Sequence, residues 1–283
     1  MIHLAEPAST KSSNLAFALR CLPADRREPS LIFYRFCRAI DDIADDPSLS
    51  ADSRMALLQC WREALESEVG LPGELVQVIR DYGIPRSLLL EILSGCESDV
   101  LPQSFLTMDD LRAYCWKVAC AVGLVSIRIF GCRDPRSEVY ALHLGYALQF
   151  TNILRDVAED RALGRVYLPC DLLSKHGVDP AGICKGEESG DFLALATEFA
   201  SYAESEFKAA GDLVLTMDRK ALLPAEIMKA VYWRLLQKMR RKGFDVLTSR
   251  HSLPRAEKFL VLLGVWLRSC VSGNKNASSF PTA

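Results

Sequence analysis

Strand signals are missing from this 283-residue chain: no alternating β-branched runs stand between hairpin turns. Among its 10 cysteines no CxxC pair occurs, and only 4 histidines accompany them, which argues against a thiolate–imidazole metal site. Cys37, Cys115, Cys120 and Cys270 instead sit inside apolar helical stretches, where a free thiol behaves as a small hydrophobe. The formal charge of −2 gives no general pull toward nucleic acid or anionic lipid. No stretch approaches the roughly 20 apolar residues of a spanning helix. The longest, Phe259 to Leu267, is too short, and Met1 to Thr10 holds no apolar core of signal-peptide length. These absences predict a reduced, cytoplasmic protein without a transmembrane segment. No GxGxxG follows a strand either, so a Rossmann site is not expected.

What is present is helix. With 49% hydrophobic and 25% charged residues the chain can bury a large core. Apolar residues recur at three and four over 31–43, 55–69, 111–130, 139–157, 192–215, 221–239 and 256–271. Thr107 with Asp110 predicts a capping box, and Asp134-Pro135 a second helix start. We read one all-α domain over residues 1–271, followed by a polar, frayed tail over 272–283.

Two acidic clusters carry the chemistry. The first is Asp41-Asp42-Ile43-Ala44-Asp45-Asp46; the second runs from Asn152 through Arg155-Asp156 to Glu159-Asp160. In each, carboxylates recur at i and i+4 (Asp41 and Asp45; Asp156 and Asp160), which stacks them on one helix face, where they repel. Pro47 and Gly164 predict helix ends just beyond, so the acids meet the negative end of the macrodipole. A solvated surface run is the bland alternative. Against it, both clusters continue apolar runs, Leu31 to Cys37 and Leu144 to Leu154. Hard oxygen donors of this kind suit Mg²⁺, with Mn²⁺ as a substitute, rather than zinc.

Cations accompany the acids. Arg38 precedes Asp41 by three residues and Asp42 by four, so it shares their face; Arg35 flanks the cluster as well. Gly164-Arg165-Val166-Tyr167-Leu168-Pro169 follows the second cluster directly, and an arginine there is suited to phosphate oxygens, though an ordinary helix exit reads the same way. Lys11, Ser12, Ser13 and Asn14 either cap a first helix or donate to phosphate. Together these parts suit metal-assisted loss of diphosphate from an allylic substrate, with an apolar pocket for the rest of it. The resulting carbocation must be kept from water, and aromatic faces stabilise it without quenching it. Tyr34, Phe36, Tyr114, Trp116, Tyr146 and Phe150 are available for this, with plain core packing as the alternative.

The residues resemble the squalene/phytoene synthase family, which joins two prenyl diphosphates head to head. Four segments carry the likeness: Leu22-Pro23; Tyr34 to Asp45; Tyr114 to Ala119 with Val122-Gly123; and Gln149 through Asp160 to Pro169. The resemblance implies an isoprenoid-synthase-type helical bundle around a central cavity. It also implies Mg²⁺ at Asp41, Asp45, Asp156 and Asp160, supported by Asp42. Arg38, Asn152, Arg155 and Arg165 would contact diphosphate or fix the acids. Tyr114 would stand near the reacting carbons and Gln149 would face the pocket, while Ser12, Ser13, Asn14 and Tyr167 would bind substrate.

Asn14-Leu15 departs from the Ser-Phe that members often carry. Asn at that place is frequent in members turning presqualene diphosphate into hydroxysqualene, whereas the Asn152 to Asp156 form favours condensing members. The resemblance therefore implies condensation of two farnesyl diphosphates to presqualene diphosphate or onward to squalene. Phytoene formation from geranylgeranyl diphosphate and hydroxysqualene formation stay open, as does NADPH use. A non-catalytic scaffold is the reading from another class; related assembly factors lack the acids that this chain keeps. Leu15, Leu19, Phe33 and Phe36 are the expected tunnel wall. Phe259 to Leu267, flanked by Lys258 and Arg268, is either a core helix or a reversible membrane-surface contact.

Overall fold

The computed structural model describes residues 4, 18, 19, 21–101, 103–186, 190–213 and 216–271; of the last helix's side chains, 266 and 268–271 are not described. Among the described residues every regular element is helical. Proline does much of the punctuation. Pro23, Pro72, Pro85, Pro135 and Pro169 each stand immediately before a helix, where a fixed φ helps and a missing N–H costs nothing. They start α1 (Ala24–Asp45), α3 (Gly73–Asp81), α4 (Arg86–Ser98), α7 (Arg136–Arg155) and α9 (Cys170–Lys175). Between them lie α2 (Ala51–Ser67), capped by Ser50, and α5 (Met108–Cys115), where Thr107 and Asp110 form the expected capping box. A π-helical turn, Trp116–Cys120, joins α5 to α6 (Ala121–Phe130). The chain continues through α8 (Val157–Ala162), α10 (Pro180–Lys185), α11 (Phe192–Asp212), α12 (Leu223–Arg241) and α13 (Arg255–Val271).

Two apolar clusters share the interior. One gathers α7, α11 and α12 around Phe150, Phe199, Phe207 and Leu236; the other gathers α1 to α4 around Phe36, Leu58, Leu65 and Leu93. The run α5–π–α6 passes between them, giving Leu111, Cys115 and Ile127 to the first and Ala121, Val125 and Ile129 to the second. Glycines make this close passage feasible. A Cβ at Gly145 on α7 would lie 2.8 Å from the Cys120 Cα, and one at Gly95 on α4 only 2.5 Å from Val118 Cγ1. By length and hydropathy Met108–Phe130 is apolar enough to cross a membrane, contrary to the sequence expectation that no stretch qualifies; among the described residues it packs between α4 and α7.

Two further expectations change. The periodicity reading passes over α3 and α4, because both are short and begin at prolines. The second acidic helix is also not continuous: α7 ends at Arg155, and Asp156 (φ −99°, ψ 10°) joins it to the six-residue α8. The i, i+4 relation survives through the Asp160 N–H, which donates to the Asp156 carbonyl at 2.8 Å. Asp160 therefore stands in the first turn of a new helix rather than at the negative end of an old one. The first helix does end where Pro47 predicts, at Asp45.

Candidate active site

A cavity of about 930 Å³ opens between the two clusters. Its apolar part is walled by Leu19, Phe33, Ile92, Val122, Ile129 and Phe130; its polar part by Arg38, Asp41, Asp99, Gln149, Asn152 and Arg155. The polar residues come from a few helix faces. Tyr34, Arg38 and Asp41 are one turn apart along α1, and Gln149, Asn152 and Arg155 do the same along α7. Tyr114 enters from α5 just before the π turn, a distortion frequent at functional sites.

Of the five predicted metal acids only Asp41 lines the cavity; Asp42, Asp45, Asp156 and Asp160 stand off its wall. Each is held or neighboured by a guanidinium. Arg38 pairs with Asp41 at 2.5 Å and also with Asp42, Arg165 reaches Asp45 at 2.6 Å, and Arg155 grips Asp156 through Nε at 2.7 Å. The Arg165–Asp45 bond ties the tail of the second motif to the first motif across 120 residues. Burial raises the Asp41 carboxyl to about 7, aided by Asp45, Asp42 and Asp99 and opposed by Arg38. Asp160 is likewise pushed up to about 7, by burial and then Asp156, with Asp99 and Asp45 adding and Arg165 opposing. Asp160 thus feels charges from two other elements: the acidic motifs converge. Among the described residues, however, no three of the acids form a ready-made cage for an ion.

Asp99, which sequence reasoning missed, is the hub. It caps the C-terminus of α4 and accepts hydrogen bonds from the Tyr114 and Tyr167 hydroxyls, both at 2.8 Å. Its carbonyl accepts from Arg165 Nη2 at 2.6 Å. Burial raises its carboxyl to about 6 against the two phenols and Arg165. The Tyr114 and Tyr167 rings stack 5.4 Å apart, with Phe105 beside both. Nothing in the local sequence marked Asp99, because the helix that it ends was itself missed.

Two further cations stand beside the second acidic motif. Arg250, from the loop after α12, reaches Asp156 at 2.9 Å and Glu159 at 3.2 Å and lines the cavity with Lys258. Burial lowers the pKa of Lys258, and the nearby Arg155 and Arg255 lower it further. Both cations sit in polar loop or helix-start sequence with no motif to signal them. Two buried atoms of the site lack a partner among the described residues: Arg38 Nε, a donor, and Asn152 Oδ1, an acceptor.

The aromatic expectations divide. Tyr34 and Tyr114 line the cavity. Phe36 is fully buried and packs edge-on against Trp61 at 5.4 Å, and Phe150 packs likewise on Phe199 at 5.8 Å, so both are core. Tyr146 stacks on Phe150 beneath Arg112, and Trp116 packs on the α1–α4 cluster. Of the expected tunnel wall Leu19 and Phe33 line the cavity, Phe36 does not, and Leu15 falls outside the described residues, as do Lys11, Ser12, Ser13, Asn14 and the tail 272–283.

Comparison with known proteins adds to this geometry. The family model described as squalene/phytoene synthase matches residues 8–257. The chain is 34% identical over 272 residues to a presqualene diphosphate synthase of Rhodopseudomonas palustris, covering 91% of this chain and 96% of that one. It is 27% identical over 275 residues to a 15-cis-phytoene synthase of Pantoea ananas, covering 92% and 89%. Its fold is similar to the crystal structure of a dehydrosqualene synthase, with a TM-score of 0.77 at 24% identity over 92% of this chain and 93% of that one.

Proposed function

Because the chain belongs to the squalene/phytoene synthase family, and is thus a prenyltransferase, we propose that it condenses two farnesyl diphosphates head to head into presqualene diphosphate. The observation that carries this reading is one cavity lined by apolar side chains together with Arg38, Asp41, Asn152 and Arg155 from the two acid–arginine motifs, which the Arg165–Asp45 bond ties to each other. The likeness to a presqualene diphosphate synthase supports the farnesyl choice.

The donor set suits Mg²⁺. Mg²⁺ is usually bound by one or two carboxylates, with waters and substrate phosphates completing its shell, so a site without a closed cage is its ordinary kind. Asp41, Asp45, Asp156 and Asp160 would hold the ions beside Asn152 Oδ1, a hard oxygen that no donor among the described residues meets. When bound, Mg²⁺ would supply charge neutralisation for the departing diphosphate.

The remaining work falls to the chain. Arg155, Arg250 and Lys258 present clustered positive charge toward the cavity, and Arg38 adds the unpaired Nε donor, so anionic oxygens are drawn to this end. Phe33, Ile129 and Phe130 exclude water around the isoprenoid tails. Asp99 holds the Tyr114 hydroxyl, and the tyrosine lines the cavity, where a π face steadies an allylic cation. Cys37 and Cys96 also line the cavity, and a thiolate there would trap such a cation. Burial raises both thiols above their ordinary range, which keeps them protonated. In the condensation one carbon–oxygen bond breaks, releasing diphosphate, and closure of the cyclopropane expels one proton.

We place the enzyme in the cytoplasm, in keeping with nine free thiols among the described residues. The test is incubation of the purified protein with farnesyl or geranylgeranyl diphosphate and Mg²⁺, with and without NADPH, followed by product identification. Presqualene diphosphate from the farnesyl substrate is expected. Phytoene from the geranylgeranyl substrate alone, or turnover only of added presqualene diphosphate to hydroxysqualene, would overturn the proposal.

A further inference from the structure

Helix α13 is amphipathic in an unusual sense, because it has two apolar faces. The inner one carries Val261, buried, with Leu262 and Val265 packed on the main core. The opposite one carries Phe259, Leu260, Leu263 and Leu267, which are 58%, 61%, 38% and 46% exposed. At 100° per residue these four fall within one stripe roughly 100° wide, facing away from the core, where a soluble protein's helix normally shows charge. Other exposed apolar side chains, such as Val69, Leu101 and Met217, are scattered singly and call for no partner.

The surroundings of the stripe are basic. Between Lys238 and Leu267 the sequence holds seven Lys and Arg against two acids, Asp245 and Glu257, in a chain whose formal charge is −2. Glu257 is already engaged by Arg234 at 3.7 Å. Arg241, Lys242 and Arg255 are exposed and form no ion pair within the described residues. The helix that carries the stripe borders the cavity, since Lys258 on α13 and Ser252 and Leu253 in the loop just before it line the cavity.

We propose that this outer face of α13 docks on an anionic lipid surface, the apolar stripe entering the headgroup boundary and the basic apron meeting lipid phosphates. Charge complementarity selects this occupant. Four side chains are also far fewer than the roughly 20–30 residues per side of a stable protein interface, whereas an interfacial helix needs only an apolar face and flanking cations. The inference rests on the proposed function for its use, because docking would bring the cavity that α13 borders close to the lipid in which greasy substrates and products partition.

Co-sedimentation of the full chain with vesicles of phosphatidylcholine alone, or mixed with phosphatidylglycerol, tests it. Binding to the mixed vesicles is expected, weakened by salt and much weaker on phosphatidylcholine alone. Leu260→Glu with Leu263→Glu should reduce binding at least tenfold. Should that pair unfold, as read by circular dichroism, Arg241→Glu with Lys242→Glu is decisive instead, since each lost cation should cost roughly fivefold in partitioning. Both pairs should keep wild-type turnover in detergent micelles. Wild type that ignores mixed vesicles overturns the docking, as do folded variants that bind like wild type. Concentration-dependent self-association that Leu263→Glu abolishes, without vesicle binding, would instead make this face an interface between copies and also overturns it. Vesicle binding with no turnover of any prenyl diphosphate would sink the functional reading while leaving the surface assignment standing.

Discussion

Replacing Asp160 by Asn separates electrostatic cost from catalytic use. The Asp160 carboxyl is raised from 3.8 to about 7 in the folded protein, first by burial and then by Asp156. A group whose folded pKa lies above its unfolded value makes the native state hold its proton longer. Stability therefore falls as pH rises from about 4 through about 7, and the full penalty applies above that window. Three units at 1.36 kcal/mol each would be about 4 kcal/mol, but water reaching the cavity screens the charge, so on the order of 1–2 kcal/mol survives. The side chain of Asp160 makes no hydrogen bond within the described residues, so Asn removes the charge without orphaning a partner. The variant without metal should melt roughly 2–3 °C higher than wild type near pH 8. That gain should shrink to about a third near pH 5 and vanish near pH 4. Added Mg²⁺ should stabilise wild type more than the variant, because a ligand that binds the native state shifts unfolding by mass action. Thermal melts across pH with EDTA or Mg²⁺ read all of this. A gain equal at every pH would refute the electrostatic argument, and equal Mg²⁺ stabilisation of both proteins would refute the ligand assignment.

Further outcomes follow from the same geometry. Asp41→Asn, Asp45→Asn and Asp156→Asn should each lower turnover by at least 100-fold, on the scale of losing a charge-stabilising group, with the helical circular dichroism spectrum unchanged. Near-normal turnover at low Mg²⁺ in any of them would remove that residue from the metal set. Asp99→Leu should leave two buried phenols without an acceptor, costing about 2–4 kcal/mol by chemical denaturation and slowing turnover through Tyr114. Gly145→Ala drives a Cβ to 2.8 Å from backbone at Cys120 and should destabilise by roughly 1–3 kcal/mol, read as a lower melting temperature. Phe33→Ala should raise use of geranylgeranyl over farnesyl diphosphate, whereas Phe36→Ala, away from the cavity, should cost stability without changing that ratio.

The helical character, the paired acids and the run from Arg165 to Pro169 were legible in sequence because each is local. Periodicity at 3.6, carboxylates at i and i+4, and a glycine–proline exit are settled within a dozen residues. The capping box at Thr107 and the stop at Asp45 are of the same kind, and the structure has both. What sequence did not reveal depends on distant parts of the chain meeting. Arg165 finds Asp45 across 120 residues, Asp99 collects Tyr114 and Tyr167 from two elements, and Arg250 reaches back to Asp156. The break at Asp156 belongs here as well, since an unbroken helix fits the local pattern equally well. Phe33 and Phe36 show the limit most clearly. Three residues apart on one helix, both apolar and buried, they differ in that one faces the cavity and the other Trp61. Composition and spacing determine that a side chain leaves water, whereas the packing of the other helices decides whether it meets core or substrate.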